Sequence, residues 1–68
     1  MEKTILPNKS EWAKKLRVIQ GACDIEKSQA IEESGISHYM YRQIRKGLAS
    51  YENLQEYENY LLKKYNEL

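Results

Sequence analysis

Apolar positions recur at three- and four-residue intervals along most of this chain, and its valines and isoleucines do not alternate as strands require. Trp12, Leu16, Ile19 and Cys23 follow at spacings of four, three and four, which sets them on one face of a helix. Trp12 and Cys23 are read as core residues. Ahead of them Pro7 stands in a short extended lead over residues 1–8, and Asn8 with Glu11 has the arrangement of a capping box in which Asn replaces the usual Ser or Thr. Gly21 is expected to loosen the end of this first helix. The stretch "ACDI" then leads into "EKSQAIEES", a second helix with Asp24 or Glu26 as the negative charge near its N-terminus and Ala30 and Ile31 as its apolar pair.

The second helix is expected to stop at Ser34-Gly35, because glycine takes left-handed backbone geometry without Cβ strain. Ser37 is the expected N-cap of a third helix, "HYMYRQIRK", which ends at Gly47, with Met40 or Tyr41 and Ile44 as its inward stripe. Past Ser50, another expected N-cap, Leu54, Tyr57, Leu61, Tyr65 and Leu68 recur at helical spacing and Leu62 widens the stripe. No glycine or proline interrupts residues 51–68, so the pattern admits one long amphipathic helix and leaves two open; its first part covers the other helices and its remainder exceeds the core. The prediction is an all-α fold of four to five helices in a single domain.

Composition narrows the chemistry. A chain of 68 residues buries only about 60% of the surface its unfolded form exposes, which disfavours an enclosed catalytic cavity. One cysteine and one histidine exclude an internal disulfide and a Cys- or His-based metal cluster, and no cofactor is implied. His38 alone titrates near neutral pH, and it has no motif-spaced nucleophile or carboxylate, so the chain is not expected to be an enzyme. No apolar run approaches the roughly 20 residues that cross a bilayer, and "MEKTILPNKSEW" lacks the long apolar core of a secretion signal. The expectation is a soluble, cytoplasmic protein with no membrane partner.

Charge changes the picture once it is divided along the chain. The net charge is only +1, yet residues 1–20 carry +3, residues 21–34 carry −3, residues 35–50 carry +3 with no acidic side chain, and residues 51–68 carry −2. Sorting of this kind lets a nearly neutral protein present one positive face, because a phosphate backbone responds to local potential. An ordinary solvated surface is the plainer reading of the same blocks.

Two short helices joined by a glycine-containing turn, the second basic and glycine-terminated, are what a helix-turn-helix requires. With Gly35 as the turn glycine, Lys27 to Lys46 fills a twenty-residue frame of that kind. Here the chain resembles the lambda-repressor/Cro-like helix-turn-helix family. The likeness is carried by Gly35, Ile36, Ser37, Ile44, Gly47 and the twelve-residue interval between the glycines, and covers about residues 12–61. The chain departs from the family pattern in several places. Ala30-Ile31 stands for the usual Leu-Ala, Ser34 occupies a commonly apolar position, Tyr41 replaces an aliphatic residue and Lys27 a frequent glutamine. Family members also usually divide the last segment into two helices.

Carried over residue by residue, the resemblance implies base-edge roles for His38, Tyr39, Arg42 and Gln43, with Ser37 at the lip of the turn. It implies that Lys27, Arg45 and Lys46 meet the phosphate backbone. A helix entering a phosphate-walled groove excludes carboxylates, arginine pairs bidentately with guanine and glutamine with adenine. A plainer reading stands beside this one: Arg45 and Lys46 also complement the helix dipole, worth about 0.3–1 kcal/mol. Lys14, Lys15 and Arg17 are read as solvated. The implied protein is a sequence-specific double-stranded-DNA-binding regulator, a Cro-like repressor from a phage, plasmid or other mobile element, acting on a palindromic operator as a homodimer. Leu61, Leu62 and Tyr65 are the candidate two-fold contact. The alternative is a protein-interaction module on the same scaffold that binds another regulator through its Tyr/Leu-rich C-terminal face.

Overall fold

Three of the four helices begin where a polar side chain accepts from an exposed backbone N–H. In a computed structural model describing residues 8–68, Asn8 Oδ1 accepts from the Glu11 N–H at 3.1 Å, Ser37 Oγ from Met40 N–H at 3.0 Å, and Ser50 Oγ from Asn53 N–H at 3.1 Å. These caps open α1 (Lys9–Ala22), α3 (His38–Lys46) and α4 (Tyr51–Asn66). The N-cap of α2 (Lys27–Ser34) is Glu26, in extended geometry and without a side-chain capping bond. The expected lead over residues 1–8 lies outside the described residues, except for Asn8.

The architecture is all-α among the described residues, with four helices rather than five. α4 is one uninterrupted helix of 16 residues, about 24 Å long at 1.5 Å per residue. α1 packs against both α3 and α4. Leu16, Ile44, Leu54 and Leu61 are fully buried between these helices, each contributing about 1.5–3 kcal/mol of transfer free energy. Tyr41, Tyr57, Ile25, Ala30 and Ala49 complete the cluster.

The glycines that end α2 and α3 behave as expected: Gly35 and Gly47 have φ of +76° and +75°. The end of α1 does not. Gly21 stays helical, and the left-handed residue is Asp24, with φ of +57°, a geometry that aspartate tolerates better than most side chains. The inward line of α1 is also rotated from the expected one. Ala13, Leu16 and Gln20 are buried, while Trp12, Ile19 and Cys23 flank them half-buried.

Ion pairs join the helices on the α4 side. Lys15 Nζ meets Glu58 Oε2 at 3.0 Å, and Lys64 Nζ meets Glu33 Oε1 at 3.2 Å. The Tyr60 hydroxyl donates to the same Glu33 oxygen at 2.7 Å, tying α2 to α4. That hydrogen bond, with Lys64, holds the Glu33 carboxyl below the usual carboxylate range. No described helix is long and apolar enough to cross a membrane.

Candidate nucleic-acid interface

Two buried residues orient α3. Tyr41 and Ile44, three positions apart, face α1 and the core, so the opposite side of the helix points outward. Met40 is half-buried, its Sδ 3.5 Å from Asn53 Nδ2 on α4. What remains on the outer side is His38, Tyr39, Arg42 and Lys46, all exposed, and Gln43, half-buried. Positions 39, 42, 43 and 46 share one face. Ser37 is exposed at the N-terminal end, where its oxygen already serves as the cap of α3, leaving its hydroxyl proton free to donate.

This face carries cations that no ion pair neutralises, as is also true of Lys14, Lys27 and Lys63 elsewhere among the described residues. Every ion pair among the described residues has a member on α4, and none includes Arg17, Arg42, Arg45 or Lys46. Residues 35–50 supply no carboxylate. The positive charge of α3 is therefore unneutralised by ion pairing.

Arg17 belongs to this neighbourhood although its position in the α1 sequence suggested plain solvation. Its guanidinium Nη1 donates to the Arg45 main-chain carbonyl, placing a third cation beside Arg45 and Lys46 at the C-terminal end of α3. Arg45 itself is less available than expected. It is half-buried, its Nη1 donates to the Tyr41 hydroxyl at 3.2 Å, and its guanidinium carbon lies 5.6 Å from the Tyr41 ring centroid. Lys27 opens α2 in an exposed position, and no hydrogen bond or ion pair among the described residues joins it to α3.

Beneath α3 lies a polar network that the spacing of apolar residues did not announce. Gln20 is 6% exposed, yet its amide is satisfied: Nε2 donates to the Ile25 carbonyl at 3.1 Å and to the Tyr41 hydroxyl at 2.9 Å, and the Tyr57 hydroxyl donates to Oε1 at 2.6 Å. Burial, reinforced by the neighbouring Tyr41 and Tyr60, pushes the Tyr57 hydroxyl pKa well above the usual tyrosine value, so Tyr57 keeps the proton that it donates to Gln20. The only advance signal for Gln20 was its place four residues after Leu16 on the inner side of α1.

The expected two-fold contact needs correction. Leu61 has no exposed surface; it fills the core, with its main-chain carbonyl 3.7 Å from the Cys23 sulfur, and is unavailable to a second chain. Leu62 and Tyr65 remain outside, 40% and 51% exposed, and Leu68 lies beyond them at 78%.

Among the described residues no group of three or more His, Cys, Asp or Glu is arranged to hold a metal ion. No family model, no curated protein and no solved structure matches this chain.

Proposed function

We propose that this chain is a sequence-specific double-stranded-DNA-binding regulator that works as a helix-turn-helix, with α3 entering the major groove. The observation that carries the reading is the outward side of α3: Tyr39, Arg42, Gln43 and Lys46 on one face, without an ion-pair partner, on a segment free of carboxylates. Arg42 and Gln43 offer the forked donors and the amide that recognise guanine and adenine edges, and His38 and Tyr39 stand nearer the helix start, where bases are reached first. Lys46 and Lys27 are the phosphate contacts, and Arg17 joins them at the end of α3. The regulator acts as a repressor by occupying its operator.

The same reading includes a second copy of the chain. A module of 68 residues reaches few base pairs, and a two-fold pair spans half-sites about one helical turn apart. Leu62 and Tyr65, on the exposed end of α4, are the proposed contact, with Leu61 serving the core instead.

Selection from a random duplex library, followed by titration of the selected site and of random duplex at two salt concentrations, tests the proposal. DNA reading requires an enriched site and an affinity that falls steeply with salt. A chain that enriches nothing and binds no duplex at low salt is instead a protein-interaction module on this scaffold.

A further inference from the structure

We infer that Gln20 is a positioning residue for α3, acting through Tyr41 to set the Arg45 guanidinium and, with it, the rotation of the helix that carries the outward face. This rests on the reading of α3 as the DNA-contacting helix. The amide can bind in only one orientation. The Ile25 carbonyl is an acceptor alone, so Nε2 must face it, and Oε1 is left to accept the Tyr57 proton. With its amide so fixed, Gln20 donates to Tyr41, whose hydroxyl also accepts from Arg45. Arg17, three residues before Gln20 on α1, holds the Arg45 main-chain carbonyl. Arg45 is therefore held from α1 directly at its backbone, by Arg17, and indirectly at its side chain, by Gln20 through Tyr41 of its own helix.

A directional grip is needed because the apolar anchoring of α3 is slight. The helix has nine residues and only Tyr41 and Ile44 are buried. Apolar burial is non-directional, so it resists separation more than rotation. Outward side-chain tips lie about 5–6 Å from a helix axis, and a 20° turn moves them by about 2 Å. A recognition constellation tolerates only about 0.5 Å. Hydrogen bonds whose geometry weakens steeply with misalignment supply what burial lacks.

Gln20→Met keeps the volume and removes both amide donors. Its preference for the selected site over random duplex should fall about tenfold, the equivalent of one modest base contact, while affinity for random duplex stays within about twofold. Tyr41→Phe, which keeps the ring and is the second variant should Gln20→Met not fold, should lose preference to a similar degree. Leu61→Val, in the core but outside the Gln20 network, is the control for a purely structural role, and should lower the melting temperature without changing preference. Independently of DNA, the Arg45 Nη–H resonance, from the group that donates to the Tyr41 hydroxyl, should move toward its free-chain position in Tyr41→Phe and should shift in the same direction in Gln20→Met.

Retention of wild-type preference by folded Gln20→Met and Tyr41→Phe overturns the inference, whether or not the Arg45 resonance moves. Equal loss of preference in Leu61→Val also overturns it, since stability alone would then explain the effect. If the wild-type chain binds no duplex, the DNA reading fails separately, and the Arg45 resonance alone upholds or overturns the grip of Gln20 on Arg45.

Discussion

Gly47 has two reasons to be glycine, and Gly21 has neither. At Gly47 the backbone is left-handed, and an added Cβ would lie 2.9 Å from the Lys9 main-chain oxygen and 3.1 Å from Ser10 Cα, where the end of α3 abuts the start of α1. Gly47→Ala should cost at least about 1–2 kcal/mol from the backbone geometry alone, with the clash added. Gly21 lies within α1, with no atom within 4 Å of an added Cβ, so Gly21→Ala should stabilise by about 0.4–1 kcal/mol. Urea melts of the two variants, shifted in opposite directions, check both statements. On the outward side of α3, Arg42→Ala and Gln43→Ala should each remove about 1–3 kcal/mol of discrimination between the selected site and random duplex, measured by fluorescence anisotropy. Wild-type preference in both variants would mean that another face reads the DNA.

At the scale of the element, α4 divides along its length. Leu54, Tyr57 and Leu61 close the core, and Leu62, Tyr65 and Leu68 run on into solvent. Leu61→Ala should destabilise the chain by about 2–5 kcal/mol. The double variant Leu62→Asp with Tyr65→Asp should stay folded by circular dichroism and sediment as a monomer under conditions where the wild-type chain is dimeric. A variant that stays dimeric moves the contact to another surface. The link from α4 to α2 through Glu33 has a pH signature. Its folded pKa is depressed, so its contribution is present above the ordinary carboxylate value of about 4.3 and is lost as the pH falls toward the lower folded value. Acid melts of the wild-type chain should show that loss, and Glu33→Gln should reduce it. A variant with the wild-type acid response would assign that sensitivity to other carboxylates.

These same elements show how far residue patterning reaches. The helix starts at Asn8, Ser37 and Ser50 and the stops at Gly35 and Gly47 were legible because caps and left-handed glycines are local chemistry, settled within a few residues. The turn after α1 was not, since both Gly21 and Asp24 permit it and tertiary packing decides between them. Leu61 and Leu62 are chemically alike, and only the rotation of α4 against α1 makes one core and the other surface. Gln20 was illegible because a polar residue reads as exposed until its three partners, drawn from separate parts of the chain, converge on it. Of the candidate site, the residues of α3 follow from the family resemblance, and the helical spacing leaves open whether Met40 or Tyr41 joins Ile44 on the inner side. The involvement of Arg17 and the partial sequestration of Arg45 depend on long-range contacts with no sequence periodicity.

For the whole molecule, the near-zero net charge conceals a division. Glu58 and Glu33 are paired with lysines where α4 meets α1 and α2, and the cations of α3 have no such partners among the described residues. The central claim is that this face binds duplex DNA, and its most direct test is the salt dependence of affinity for random-sequence duplex. If three to four phosphates are neutralised, log K should fall linearly with log salt with a slope of about −3. Lys46→Ala should flatten that slope by about 1 without changing sequence preference. A wild-type chain that binds no duplex at low salt, or binds it with an affinity indifferent to salt, contradicts the account.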